Sequence, residues 1–321
     1  MRSNKLHCFL IFIFSSAYCF ADYAWIPDYH HLNLKFGGEY FTSSDNYASD
    51  GTKSVLLVAG QPSAFNEYRF GLEGEYSFAK DWSGLLKIPF VSNLIDSPGA
   101  TPFSGSGLGD LTAGLKWNFL RTRLLLTGEL YTNLPLYSTS DLSVDHLVLG
   151  DGSIDLGGKI HLGYRFNRQF AFGISPGLVA RSLNYSSAFT LTAFAVATWN
   201  PIYLRFILEN FSSLSSDPNP VPTELNSATG SGGSFARLSY HPNVFSLGGK
   251  FGYFAGPKYR IEGTVMWSAM GSYSPTFFRG GLALVADFDL YNPDPPKTTI
   301  KEIPFETEQK PFEEKSEDLE D

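Results

Sequence analysis

Cysteine is almost missing from this sequence. Cys8 and Cys19 are the only two, and both fall within the first 21 residues. From Asp22 onward the chain can form no disulfide, no thiolate metal site and no cysteine nucleophile. Charge is sparse as well. Only 17% of the 321 residues are Asp, Glu, Lys or Arg, and the acids prevail to give a net −8. No basic patch stands out, which argues against nucleic acid as a partner. Long apolar runs are lacking too. Beyond Ala21 no uninterrupted stretch approaches the ~20 residues that a membrane-crossing helix needs. If this chain sits in a membrane, it crosses as a closed barrel. Only helices and closed barrels satisfy every backbone N–H and C=O in lipid.

Catalytic signatures are also missing. There is no G-x-S-x-G elbow and no H-E-x-x-H pair. Beyond Ala21 the histidines are His30, His31, His146, His161 and His241. None lies in the His-x-Ser-Asn type of context used by phospholipases built on barrels of this size. Adjacent side chains on a strand point apart, so His30 and His31 read as interfacial residues and not as a ligand pair. No catalytic residue, metal or cofactor is expected.

What is abundant is aromatic and small. The chain holds 28 Phe, 17 Tyr and 31 Gly. Aromatic side chains favour pleated, half-buried surfaces. The first residues read as a secretory leader. Arg2 and Lys5 precede an apolar run from Leu6 to Phe14, and Cys19-Phe20-Ala21 places small residues suitably for cleavage after Ala21. The run is too short to be a comfortable membrane anchor. Lipid attachment at Cys19 fits less well, because Ser16 stands where a Leu is usual.

The decisive feature is period-two alternation. From Glu67 to Phe78, the odd positions include Glu67, Arg69, Glu73 and Glu75. The even positions are Tyr68, Phe70, Leu72, Gly74, Tyr76 and Phe78. Successive strand side chains face opposite sides, so one face is charged and the other greasy. The pattern recurs over Leu108–Phe119 with Asp110 and Lys116, and over Asp155–Phe166 with Lys159 and Arg165. It returns at Tyr203–Phe211 with Arg205 and Glu209, and at Tyr259–Trp267 with Arg260 and Glu262. Arg123 and Glu129 belong to the same face of a further strand. Lys35, Glu39, Lys87, Asp155, His161, Lys250, Arg279, Asp287 and Asp289 extend it. These residues are the candidates for the lining of a lumen. They would either pair with one another and stiffen the interior, or select solutes passing through it.

Strands are predicted to begin near Leu32, Asn66, Trp82, Leu108, Arg123, Ser153, Gln169, Ser187, Ile202, Val244, Tyr259 and Phe277. Short connections at Ala79–Asp81, Leu120–Thr122, Asn167–Arg168, Asn200–Pro201 and Ala255–Lys258 alternate with mostly longer ones. The long set comprises Ser43–Ser63, Ser92–Gly107, Pro135–Gly152 and Ser212–Asn243. Strands of about ten residues, aromatic strand ends and this alternation distinguish a membrane barrel from a soluble sandwich. The expected fold is therefore all-β: a transmembrane antiparallel up-and-down barrel of about 12 strands in the cell outer membrane, with both termini periplasmic. The expected organisation is a leader over residues 1–21, a barrel over 22–291 and an acidic disordered periplasmic tail over 292–321. Lys297–Asp321 alone holds four Lys and nine Asp or Glu.

One strand carries a family likeness. Gly105-Ser106-Gly107-Leu108-Gly109-Asp110-Leu111-Thr112-Ala113-Gly114-Leu115-Lys116-Trp117 resembles a strand of the phenol meta-pathway degradation transporter-like family of outer-membrane barrels. The matching positions are Gly107, Gly109, Asp110, Gly114 and Lys116. The resemblance implies uptake of aromatic or other hydrophobic compounds. The expected function is an outer-membrane channel or uptake barrel for small solutes, hydrophobic or aromatic ones included. A structural or surface-binding barrel and a lipid-modifying enzyme are the alternatives. Expected partners are outer-membrane lipid and lipopolysaccharide, the barrel-assembly machinery and a periplasmic partner for the acidic tail.

Overall fold

The computed structural model describes residues 26–58, 61–96, 103–137, 149–150, 152–182, 185–215 and 242–290. The leader over 1–21 and the tail over 292–321 lie outside these described residues. Among the described residues there is no helix, and all regular structure is β. The strands are β1 (His31–Tyr47), β2 (Lys53–Val55), β3 (Leu57–Val58), β4 (Gln61–Pro62), β5 (Ala64–Ala79), β6 (Trp82–Asp96), β7 (Phe103–Leu108), β8 (Asp110–Arg121), β9 (Leu124–Pro135), β10 (Asp155–Arg165), β11 (Phe170–Arg181), β12 (Ala188–Trp199), β13 (Ile202–Ser213), β14 (Asn243–Phe254), β15 (Tyr259–Ser272) and β16 (Ser274–Asp289). Setting aside the four short strands β2, β3, β4 and β7, twelve long ones form the wall, each pairing antiparallel with its neighbours. β16 pairs with β1 from His31↔Asp289 to Tyr47↔Ser274, which closes the ring. Closure leaves the twelve-strand wall without a free edge strand, the condition for a sheet to exist in lipid.

All twelve predicted strands are present, and their starts agree to within a few residues. Two connections are shorter than the alternation suggests. β1 runs on to Tyr47 and turns back through β2, and β6 runs on to Asp96 to pair with β7. The ladders continue where the greasy alternation has ended. Backbone hydrogen bonds need no apolar face, so the sequence pattern marks the lipid-facing part of the wall and misses its extension.

The two wall ends meet beside the short turns. The His30 N–H donates to the Ser77 carbonyl at 2.9 Å, and the Leu290 N–H donates to the His30 carbonyl at 3.0 Å. Just before β1, the segment Ile26–Tyr29 is tied to the β8–β9 turn. Arg121 donates from Nη2 to the Ile26 carbonyl and to Asp28 Oδ1, both at 3.0 Å.

Outward positions carry the greasy face. Phe36, Phe70, Leu130, Leu178, Phe206, Leu282 and Leu284 are each at least half exposed. So large an apolar surface would aggregate in water, and lipid is the solvent that suits it. Aromatic rings gather near the short turns. Trp82 stacks on Trp117 at 5.7 Å, Trp117 meets Phe119 edge-on at 5.1 Å, and Tyr164 meets Phe166 edge-on at 5.1 Å. Such rings sit well at a headgroup boundary, with an apolar body and, in Trp and Tyr, a polar edge.

The motif strand has a local bend. Lys87 pairs with Thr112, yet Phe90 pairs with Leu108. Three steps on β6 therefore oppose four on the β8–β7 side, a one-residue bulge. Gly109 occupies it, donating its N–H to the Pro89 carbonyl at 2.9 Å. A Cβ there would meet Val91 Cγ2 at 2.9 Å and Pro89 Cγ at 3.3 Å. Other glycines receive rings. Tyr131 lies over its partner Gly157, Phe194 over Gly173 and Tyr203 over Gly252. These pairs let large inward side chains fold flat on the wall.

Candidate functional site: the barrel interior

Inward positions are more mixed than the charged face of the sequence suggests. Leu85, Leu125, Tyr131, Phe194, Val196, Tyr203, Ile207, Met266 and Val285 also point inward and are buried. Near the β1–β2 and β6–β7 connections, Leu56 packs with Phe65 and Ile95, and Phe41 joins them. The interior is thus partly an apolar core.

The charges form register belts around the inner wall. One belt passes through seven strands: Lys35, Glu73, Lys87, Thr112, Asn133, Asp155 and Arg181, each the register partner of the next. Lys87 Nζ lies 3.1 Å from Glu73 Oε1. Thr112 Oγ1 donates to Asn133 Oδ1 at 2.8 Å, and Asn133 Nδ2 donates to Asp155 Oδ2 at 3.4 Å. Arg181 Nε stands 3.7 Å from Asp155 Oδ1.

A second belt joins Ser83, Lys116, Glu129 and Lys159. Lys116 donates to Glu75 Oε2 at 2.8 Å, and Ser83 donates to Glu75 Oε1 at 2.6 Å. His161 Nε2 is 2.9 Å from Glu129 Oε2, and its Nδ1 is 2.8 Å from Ser175 Oγ. The ammonium of Lys159 sits over the Tyr131 ring, 4.8 Å from its centroid. A serine, a histidine and a carboxylate in a row invite a catalytic reading. His161 and Ser175 are only 1% and 2% exposed, however, so neither presents an atom to a substrate.

A third cluster centres on Glu262, which is 1% exposed. Tyr203 donates its hydroxyl to Oε1 at 2.6 Å, and Arg260 Nε donates to the same oxygen at 2.7 Å. Lys250 Nζ stands 3.2 Å from Oε2, with Lys35 Nζ at 3.9 Å. Arg205, the register partner of Lys250, lies over the Phe194 ring at 5.2 Å. Arg279 pairs with Glu209 at 3.2 Å and Arg69 with Glu67 at 2.8 Å. Buried charges are costly unless paired, and Glu262, Glu209 and Glu67 each face a cation here.

Between β1, β5, β6, β8–β10, β15 and β16 an interior cavity of about 450 Å³ remains. Arg69, Glu73 and Asp110 line it, together with Lys35, Glu39, Lys87 and Asp155. Lys116, Glu129, Arg205, Arg260 and Glu262 are instead buried in the clusters. Glu67 and Glu75 are buried beside them, while Lys159 and Glu209 are half-buried. Arg165 is the last residue of β10, half-buried near a short turn. Arg123 corrects the sequence reading. It is exposed in the turn between β8 and β9 and lines nothing, because a two-residue turn is the cheapest place for a solvated guanidinium. Of the motif residues, Gly109 makes the bulge and Asp110 follows it into the cavity. Gly107 faces Leu149, Gly114 lies close to Tyr131, and Lys116 holds Glu75. Ser83, Asn133, Ser175 and Tyr203 join these networks although no motif marks them. Their only sequence signal is parity: each sits at an inward position of its strand.

No family model and no curated protein matches the chain. Solved structures do. An outer-membrane channel from Pseudomonas putida F1 superposes with a TM-score of 0.63 at 15% identity, covering 83% of this chain and 98% of that one. The CymD monoaromatic hydrocarbon channel gives 0.45 at 10% identity, over 81% and 89%. The KdgM porin with disordered oligogalacturonate gives 0.46 at 8% identity, over 80% and 99%. At such identities the likeness to the Pseudomonas channel is one of fold: a closed outer-membrane-type barrel.

Proposed function

We propose that this barrel is a passive outer-membrane channel for small solutes. The observation that carries the reading is the charge-lined cavity of about 450 Å³ inside a closed wall. A purely structural barrel has no need to keep such a space, since apolar side chains of the kind already present could fill it at less electrostatic cost. The fold shared with a named channel supports the same reading. The finer expectation of aromatic or hydrophobic cargo rests on the Gly107–Lys116 strand. The bulge at Gly109 gives that motif a structural role independent of cargo. Purified protein in planar bilayers is expected to give discrete conductance steps. A barrel that stays closed at every voltage would favour the rival reading, a structural barrel stiffened by its buried ion pairs.

We infer that the short turns and both wall ends face the periplasm, and that the longer connections face outward, as in barrels of this class. The acidic segment 292–321 would then be available to an envelope partner. The chain beyond Cys19 offers a clean test because it has no thiol of its own. Asp50→Cys, at the tip of the β1–β2 connection, is expected to react with a membrane-impermeant maleimide in intact cells. Lys80→Cys, in a short turn, is expected to react only after the outer membrane is permeabilised. The opposite pattern would invert the orientation.

A further inference from the structure

The cavity wall is lined by charges of both signs, and their spacing points to a solute class. Lys35, Glu73 and Lys87 stand on three adjacent strands at one register level, and Glu39 and Arg69 form a neighbouring pair at another. The signs alternate from strand to strand. Across one such pair Lys87 Nζ and Glu73 Oε1 stand 3.1 Å apart, close to the separation of the ammonium and the carboxylate within an α-amino acid. The groups are also within reach of a solute. The side chains of Lys35, Arg69, Glu73 and Lys87 are 30–43% exposed, whereas Glu262, which Lys35 also approaches, is sealed.

We propose that this cavity favours small dipolar solutes, those carrying an ammonium and a carboxylate together, over neutral or singly charged solutes of equal size. The inference rests on the channel reading and names its substrate class. A zwitterion lying across two strands can take the Glu73 carboxylate with its cation and the Lys87 ammonium with its anion. The wall exchanges one pair of partners for another, and no charge is left without an opposite. A singly charged solute satisfies one side and strands the other. A neutral solute offers neither wall charge a full partner, so it must pass the ion pairs without replacing them. An apolar solute removes water from the wall charges and returns nothing.

The test uses full-length protein in proteoliposomes at neutral pH and compares glycine with its isomer glycolamide. The two have the same atoms, but only glycine is dipolar. Glycolate and glycinamide provide the single-charge controls. Glycine is expected to enter roughly three- to fivefold faster than glycolamide, the factor supplied by one cross-strand charge pair of ordinary strength. The ratio is expected to fall towards one in the Lys87→Met/Glu73→Gln variant, which removes a pair without changing net charge. No flux of any solute and no conductance would overturn the channel reading itself. Conductance with equal entry of glycine and glycolamide would overturn only the dipolar preference. A preference that survives in a folded double variant would overturn its assignment to this wall. The wild-type isomer ratio decides the matter even if the variant fails to fold.

Discussion

Glu262→Gln should lower the unfolding free energy of the barrel by ~3–5 kcal/mol, the usual cost of breaking a buried charged pair. Glu262 is the anion shared by Arg260, Lys250 and Lys35, and it is sealed from water. Glutamine keeps the size, and its carbonyl can still accept from Tyr203. The variant therefore isolates charge from packing. Urea unfolding in lipid vesicles, followed by tryptophan fluorescence, gives the measurement. A loss below about 1 kcal/mol, typical of exposed pairs, would mean that water reaches the cluster. Lys250→Met in the Glu262→Gln background should restore part of the loss, because it removes one of the cations left facing a neutral amide. Gly252→Ala attacks the same cluster from outside it. Its methyl group would overlap the Tyr203 ring and push the hydroxyl away from Glu262.

The second large effect is expected on the opposite face. Leu282→Arg should destabilise the inserted barrel by about 2–4 kcal/mol, the cost of arginine near the bilayer midplane on a lipid-facing wall. Leu282 lies midway along β16, is 71% exposed, and its register partners on both sides, Gly38 and Gly263, have no side chain to shield it. The same substitution at Ala283, one residue on, would project into the interior and face Glu262, its register partner. It should cost less, and that contrast is what identifies the solvent outside as lipid. If Leu282→Arg were neutral in vesicles, the greasy face would have to be covered by protein.

Period two explains how much was legible beforehand. In a strand the face is set by parity, so a sequence such as Glu67–Phe78 displays inside and outside without any knowledge of its neighbours. Strand number, the alternation of connection lengths and the greasy exterior all follow from that local rule. Arg123 shows its limit. Parity has meaning only within the ladder, and where the ladder stops is decided by pairing. The extensions of β1 and β6 show the same limit from the other side.

The candidate site divides along the same line. That Glu75, Lys116, Glu129, Arg205 and Glu262 face inward could be read from each strand alone. Whether a given charge ends sealed in a cluster or lining the cavity could not. Lys116 meets Glu75 across 41 residues, Tyr203 meets Glu262 across 59, and His31 meets Asp287 across 256, at 2.6 Å, where the ring closes. These meetings depend on the register of the ladders between the partners: β5–β6 and β6–β8 for Lys116, β13–β14 and β14–β15 for Tyr203, and β1–β16 for His31. A shift of one residue in any ladder turns an entire face around. The sequence by itself therefore determined that this chain is a barrel with a charged interior and a lipid-facing coat, because each strand carries that information locally. Only the tertiary structure decided which charges neutralise one another and which remain beside open space, because burial and pairing are properties of the closed ring.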